Sequence, residues 1–304
     1  MHPLICKSTA MLEVAKRIER AAQADSPVLI WGEKGVGKKL VAEMIHRQSR
    51  RGDAPLVIVS TENSGGQSVE DELFGTAEQP GRLPTTAGGT LLIDEIAGLP
   101  PTGQAKLLAA AEGRYVSQRK DSSRQPIDFR LMATARNELA ESVERGTLRE
   151  DLYYRLSVVT IRVPPLRERK EDIPYLVQQM LGELCATRDK QVPAADPKLT
   201  EYLVRRAWPG NGHELRNCLD RMVSTEDSER LDVNDLHGSF CEDGRDSTGL
   251  PWAERVDTLA DLERAAVMRA LKVHQGNRTQ AAKALGISVR TLQRKLRHWD
   301  VESA

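Results

Sequence analysis

Five short apolar runs, PVLIWG (27–32), PLVIVS (55–60), GTLLIDE (89–95), FRLMATA (129–135) and VVTIRVP (158–164), are rich in β-formers and are separated by amphipathic stretches of helical period. Strands alternating with helices predict a parallel sheet in a three-layer α/β domain. From Glu171 the pattern changes to helices only: EDIPYLVQQMLGELCA, PKLTEYLVRRAW and GHELRNCLDRMVS. The spacing therefore predicts an α/β subdomain over 1–170 and a helical lid over 171–237.

Residues 238–256 are rich in Gly, Ser, Asp and charge, lack a clear period, and read as a linker. A second domain is expected over 257–304. Its first helix carries an apolar stripe at Leu259, Leu262, Ala266, Val267, Ala270 and Leu271, and two shorter helices follow. No run of 18 apolar residues occurs, and MHPLICKSTAML lacks the basic flank and apolar core of a signal peptide. A cytoplasmic protein with no membrane partner is the expectation.

Composition changes this picture in one place. The net charge is zero, with 44 Lys+Arg against 44 Asp+Glu, yet Arg269 to Trp299 holds eight basic residues and no acidic one. That local excess points to nucleic acid. Cys6, Cys185, Cys218 and Cys241 are widely separated, with neither a C-x-x-C pair nor a nearby histidine at ligand spacing, so free packed thiols are expected.

The stretch Gly32, Glu33, Lys34, Gly35, Val36, Gly37, Lys38 follows a strand and precedes the helix KKLVAEMIHRQ. Glycines let the backbone curl until its N–H groups and the helix N-terminus face phosphates, and the Lys38 ammonium reaches the β and γ oxygens. Lys39 stands where a generic phosphate loop has the Ser or Thr that touches Mg²⁺, so one magnesium ligand is missing. Asp94, ending the third run, supplies the carboxylate that holds hydrated Mg²⁺, and Glu95 the one that polarises an attacking water. ATP with Mg²⁺ is the expected cofactor pair. Arg149 and Arg155, six apart before a strand, read either as a solvated helix face or as arginine fingers reaching a neighbouring subunit's γ-phosphate.

In GNRTQAAKALGISVRTLQRKLRHW, Ala281, Ala282 and Leu285 give one helix an apolar face, Gly286 makes the turn, and Ile287 packs between helices. Ser288 caps a second helix whose Leu292 and Leu296 point inward. Arg290, Thr291 and Arg294 are the candidates for base edges, and Arg278, Lys295 and Arg297 for phosphates of double-stranded DNA. One such helix reads few base pairs, so a dimer through this domain is expected. His46, His237, His274 and His298 lack partners at nucleophile or metal spacing and are assigned to surface or packing; Tyr153 and Tyr154 are expected to pack under the arginine segment.

GEKGVGK, EDELFG, AGGTLLIDEI, QAKLL, LREDLYYRL, VPPLRERKEDIP and WPGNGHELRN occur in one order from residue 4 to about 236, and together they resemble the AAA+ domain of bacterial enhancer-binding proteins, the activators of sigma-54 RNA polymerase. The C-terminal segment resembles their Fis-type helix-turn-helix, and no receiver or ligand-sensing domain is expected ahead of the match. The resemblance implies an AAA+ P-loop α/β fold with a helical lid and a small all-α DNA-binding domain. It implies a Walker A loop at Gly32–Lys38, Walker B at Asp94 and Glu95, trans-acting arginines at Arg149 and Arg155, and a hexameric ring.

Departures accompany the matches. Sensor I reads Ala135-Arg136 in place of Thr-Asn, sensor II has His213 in place of arginine, Ser60 falls at the position of an asparagine, and Lys39 replaces a glutamate. These leave ATP hydrolysis open while keeping ATP binding, His213 included. The family touches sigma-54 through a GAFTGA loop between ELFG and the GG before Walker B; here that interval is TAEQPGRLPTTA, shorter and without phenylalanine. The sequence thus predicts an ATP-binding, site-specific DNA-binding transcription regulator of the sigma-54 activator type. RNA polymerase is its implied partner, approached without the sigma-54 contact. A nucleotide-gated oligomeric switch or repressor with little turnover, and a remodelling ATPase with a non-promoter target, are the alternatives.

Overall fold

The computed structural model describes residues 4–61, 69–76, 78–114, 127–136, 139–188, 192–225, 230–238, 267, 277, 278, 280, 282, 285–293 and 295. Two compact units divide the chain, Met1–Asp243 and Gly244–Ala304. The first begins with helix Thr9–Gln23 (α1), capped by Ser8, whose hydroxyl accepts from the Met11 amide at 3.3 Å. Met11, Val14, Ile18 and Ala21 bury one stripe of that helix.

Val28–Trp31 (β1), Lys38–Gln48 (α2), Leu56–Ser60 (β2), Val69–Phe74 (α3), Thr90–Asp94 (β3), Pro101–Ala111 (α4), Arg130–Ala135 (β4), Ala140–Glu144 (α5), Glu150–Leu156 (α6) and Val159–Arg162 (β5) follow. The strands form one parallel sheet in the order β2-β3-β4-β1-β5. Burial follows that order. β3 and β4 are buried at every residue, whereas the edge strand β2 alternates buried with half-buried positions. Successive residues serve opposite faces: Val28, Ile30, Leu92 and Met132 pack with α1 and α2, while Leu29, Leu91, Ile93, Leu131 and Ala133 pack with Leu73, Leu107 and Leu152. Two apolar layers therefore enclose the sheet, and its C-terminal edge is left for polar residues.

A helical subdomain is built from Ile173–Ala186 (α7), Pro197–Arg205 (α8) and Asn211–Thr225 (α9) around Leu181, Leu203, Leu215, Leu219 and the fully buried Trp208. Leu166, ahead of α7, already packs in this core. The expectation of helices only is corrected by a short parallel pair, Ala194–Ala195 (β6) and Arg230–Leu231 (β7), each two residues long and too short to leave a period in the sequence. Tyr154 is corrected as well: it stands 66% exposed, while Tyr153 packs against the sheet's core. Cys185 and Cys218 are buried free thiols, and burial pushes the Cys218 thiol up to about 12, which leaves it unreactive. No helix among the described residues is long and apolar enough to cross a membrane.

In the second unit, Ala282 and Leu292 are buried with Val267, and Leu285 and Ile287 pack against them. Gly286 takes the left-handed conformation (φ 67°) that turns the chain, and the Ile287 amide closes the turn on Ala282 O at 3.0 Å. Of the expected 257–274 helix only Val267 is described. Ala281, Leu296, His274, His298, Cys241 and the linker beyond Gly238 lie outside the described residues.

Candidate nucleotide and DNA sites

Parallel strands end together, so the register fixes what meets at the sheet's C-terminal edge. Trp31 pairs with Ala135 and Ser60 with Asp94, which brings the loop after β1, the end of β4 and the Asp94-Glu95 pair side by side. The loop after β1 curls through left-handed glycines. Gly37 (φ 100°) stands at the N-cap of α2, turning the helix's free N–H groups toward the loop. Gly35 (φ 80°) lies so close to the lid that a Cβ there would come within 2.4 Å of Gly210 O.

Lys38 is 7% exposed and its ammonium is bound by Gly32 O at 2.9 Å, Glu33 O at 3.3 Å and Glu95 Oε1 at 3.0 Å. Lys39, half exposed, places its ammonium 2.8 Å from Asp94 Oδ2. Asp94 Oδ1 accepts from Thr134 Oγ1 at 2.7 Å, and the Glu95 amide donates to the same hydroxyl at 3.0 Å. Glu95 adopts φ 63°, a left-handed backbone uncommon outside glycine, and Thr61 fastens it by donating from Oγ1 to Glu95 O at 2.7 Å. Arg136 Nε lies 3.8 Å from Glu95 Oε2.

Lid residues lock the loop from the other side. Asn211 is fully buried at φ 51°; its Oδ1 accepts from the Leu166 amide at 2.7 Å, and its Nδ2 donates to Glu33 Oε2 at 3.1 Å and Lys34 O at 3.0 Å. The Gly212 amide donates to Gly35 O at 3.0 Å. Arg167 grips Glu33 with two nitrogens, which lowers the Glu33 carboxyl below its usual range, and buried Arg169 donates to Val36 O at 2.7 Å. Between loop and lid lies a cavity of about 310 Å³, walled by Ile5, Val36, Leu40, Met180 and His213.

The geometry suits a polyphosphate ester: amides and an ammonium at the loop, with an apolar chamber beside it. It offers less to the divalent cation expected at Asp94: each oxygen of that carboxylate already accepts from one donor, the Lys39 ammonium or the Thr134 hydroxyl, and the residue after Lys38 offers no hydroxyl. Among the described residues no cluster of three or more His, Cys, Asp or Glu could hold a metal.

The structure thus gathers Gly32, Glu33, Lys34, Gly35, Val36, Gly37, Lys38, Lys39, Asp94, Glu95 and His213 in one place. Arg149 and Arg155 stand apart. Arg149 caps α6 and pairs with Asp151 at 2.8 Å, and Arg155 donates to Ala111 O at 3.2 Å, both on an exposed surface. Thr134, Thr61, Asn211, Arg167 and Arg169 were given no role by sequence reasoning. Thr134 could have been found by aligning strand ends, since Ile93 pairs with Ala133 and one further step of that register sets Thr134 beside Asp94, to which it hydrogen-bonds.

At the helix-turn-helix, Ser288 Oγ accepts from the Thr291 amide at 3.1 Å and bonds Thr291 Oγ1 at 2.8 Å, so both hydroxyls are engaged in capping. Thr291 is half buried. Arg290 and Arg278 are exposed and Lys295 is half buried. Arg294 and Arg297 lie outside the described residues.

Three family models match the chain: the sigma-54 interaction domain over residues 4–162, the AAA+ ATPase lid domain over 167–250, and the bacterial regulatory protein, Fis family, over 258–299. The chain is similar to the transcriptional regulatory protein ZraR of Klebsiella oxytoca, 37% identical over 96% of this chain and 68% of that protein. It is 34% identical to the response regulator protein PilR of Pseudomonas aeruginosa over 98% of this chain and 70% of that one. NtrX from Brucella abortus, solved with ADP and with ATP, superposes with TM-scores of 0.71 and 0.70 at 31% and 30% identity, covering 97% and 98% of this chain and 68% and 69% of NtrX.

Proposed function

The chain belongs to the sigma-54 interaction domain family, with an AAA+ lid and a Fis-type helix-turn-helix, and from that membership we propose a nucleotide-binding, site-specific DNA-binding transcription regulator that works without the sigma-54 contact. NtrX was solved with ADP and with ATP, and the loop described above offers backbone amides and an ammonium to a nucleotide's phosphates. ZraR is named a transcriptional regulatory protein, and the capped, basic second helix supports DNA as the target.

One observation carries the last clause of the proposal. After α3 the chain reverses at once: Gly75 and Pro80 form an antiparallel bridge, the Thr76 amide donates to Gln79 O at 2.8 Å, and the Arg82 amide returns to Glu72 O at 2.9 Å. Arg82 then pairs with Glu72 and Leu83 is fully buried. Four residues between bridge partners allow two out and two back, a reach of roughly 7 Å at the rise of a strand. Such a turn is too short to insert into a partner.

The test is open-complex formation by purified sigma-54 polymerase on a template carrying a site selected by this protein from random DNA. No opening with ATP, alongside a clear footprint at that site, is expected. ATP-dependent opening would overturn the proposal.

A second reading, a nucleotide-gated switch with little turnover, is favoured by Glu95. The carboxylate that would polarise water is held by Lys38 at 3.0 Å and faces Arg136. An oxygen engaged by the Lys38 ammonium is not placed to orient an attacking water.

A further inference from the structure

We propose that the loop takes the nucleoside triphosphate as the metal-free anion, with the Lys39 ammonium standing where other phosphate loops place a divalent cation. This rests on the nucleotide reading above. Three features of the site converge on it.

The first is position. In a generic phosphate loop the residue after the lysine and the strand-end aspartate hold the hydrated ion between them. Here those same two residues, Lys39 and Asp94, hold each other at 2.8 Å. The side chain reaching from the loop brings a positive charge to the place where a hydroxyl would otherwise touch one.

The second is occupancy. Thr134 Oγ1 donates to the other Asp94 oxygen at 2.7 Å and itself accepts from the Glu95 amide, so each oxygen of that carboxylate already accepts one hydrogen bond, which a metal's water would have to share with Lys39 or Thr134. A dication approaching Asp94 would sit within a few ångströms of an ammonium, and at such range like charges repel strongly in a partly enclosed site.

The third is charge. Lys38, Lys39 and Arg136 supply three cations around Asp94 and Glu95. Among these five groups positive charge exceeds negative by one before any nucleotide enters. Lys39 remains 49% exposed with one of its three N–H bonds on Asp94, which leaves donors for a phosphate oxygen. A tethered cation of this kind is present at every encounter and is indifferent to the magnesium concentration.

The experiment measures ATP affinity of the full chain by calorimetry in EDTA and in millimolar magnesium, for the wild type, Lys39→Thr and Lys39→Arg. The wild type and Lys39→Arg are expected to bind with dissociation constants that differ by less than about threefold between buffers. Lys39→Thr supplies the hydroxyl of a generic phosphate loop and frees Asp94, and should bind at least about tenfold more weakly in EDTA than in magnesium, the effect of one charge-assisted contact. The half-exposed side chain makes these substitutions safe for the fold. A wild-type affinity that falls tenfold or more in EDTA would overturn this inference and leave the nucleotide reading standing. No ATP binding by the wild type in either buffer would overturn both.

Discussion

Asn211→Ala is expected to cost the first unit about 2–4 kcal/mol. The side chain is fully buried and joins three segments: the Leu166 amide, the Glu33 carboxylate and the Lys34 carbonyl. Alanine leaves the Leu166 N–H without an acceptor in a dry interior, about 1–3 kcal/mol, and imposes a Cβ on a φ of 51° without the local hydrogen bonding that lets asparagine occupy it, about 1 kcal/mol more. In a unit of this size each kcal/mol moves Tm by roughly 2–4 °C, so a drop on the order of 5–10 °C should appear by calorimetry.

Asn211→Gly separates the two contributions. Glycine accepts the left-handed backbone but leaves Leu166 equally orphaned, so it should fall between wild type and alanine. ATP affinity should weaken in both variants, because Asn211 binds the phosphate loop as well as the lid. A loss under about 1 kcal/mol for alanine would refute the claim that this side chain carries buried, irreplaceable hydrogen bonds.

Two further outcomes are expected. Burial holds the His46 imidazole below its ordinary pKa, so the fold keeps it neutral while the unfolded chain takes up a proton near 6.5; its contribution is complete above about pH 6.5 and is lost as pH falls toward the lower folded value. The urea midpoint should therefore drop between about pH 7.5 and about pH 5.5, and His46→Asn should flatten that slope; an unchanged slope would reject the assignment. At the helix-turn-helix, Arg290→Ala should cost about 1–3 kcal/mol on a selected site and little on random DNA, whereas Arg278→Ala should weaken both and reduce the salt slope by about one; footprint titrations at several salt concentrations decide between them.

The sequence displayed those parts of the fold that depend on neighbours along the chain. PVLIWG, GTLLIDE and FRLMATA became strands because each run is long enough to span a sheet covered on both faces, and GEKGVGK met the helix it needed at Lys38. Thr134 and Asn211 stayed hidden because their roles are created by distance in space, 40 residues from Asp94 and 177 from Lys34. The β6-β7 pair escaped for a different reason, since two residues cannot show an alternation. Lys39 was legible as a missing ligand but not as an occupant of the missing ligand's place. Tyr154 was assigned beneath the arginines because aromatics usually pack, and α6 instead turns it to solvent.

The contacts between loop and lid are unequal, and the inequality determines how nucleotide can be felt. Arg167 and Glu33 make the most conspicuous pair, yet they are 44% and 38% exposed, and an ion pair in that setting contributes about 0–1 kcal/mol. Arg169 is buried against Val36 O, and Asn211 is buried against Lys34 O; each contact is hard to break without leaving a polar group dry. Any ligand that reshapes the loop backbone at Lys34 to Val36 must therefore move α9 or strand these groups. Because a ligand shifts such an equilibrium only by its differential affinity for the two arrangements, the proposed phosphate contacts at Gly35 and Gly37 should be read out first as lid position. The turn at Gly75–Pro80 has no hydrogen bond to the loop among the described residues. Under the proposed function, nucleotide is therefore expected to be sensed on the lid side of the sheet, where the buried contacts are.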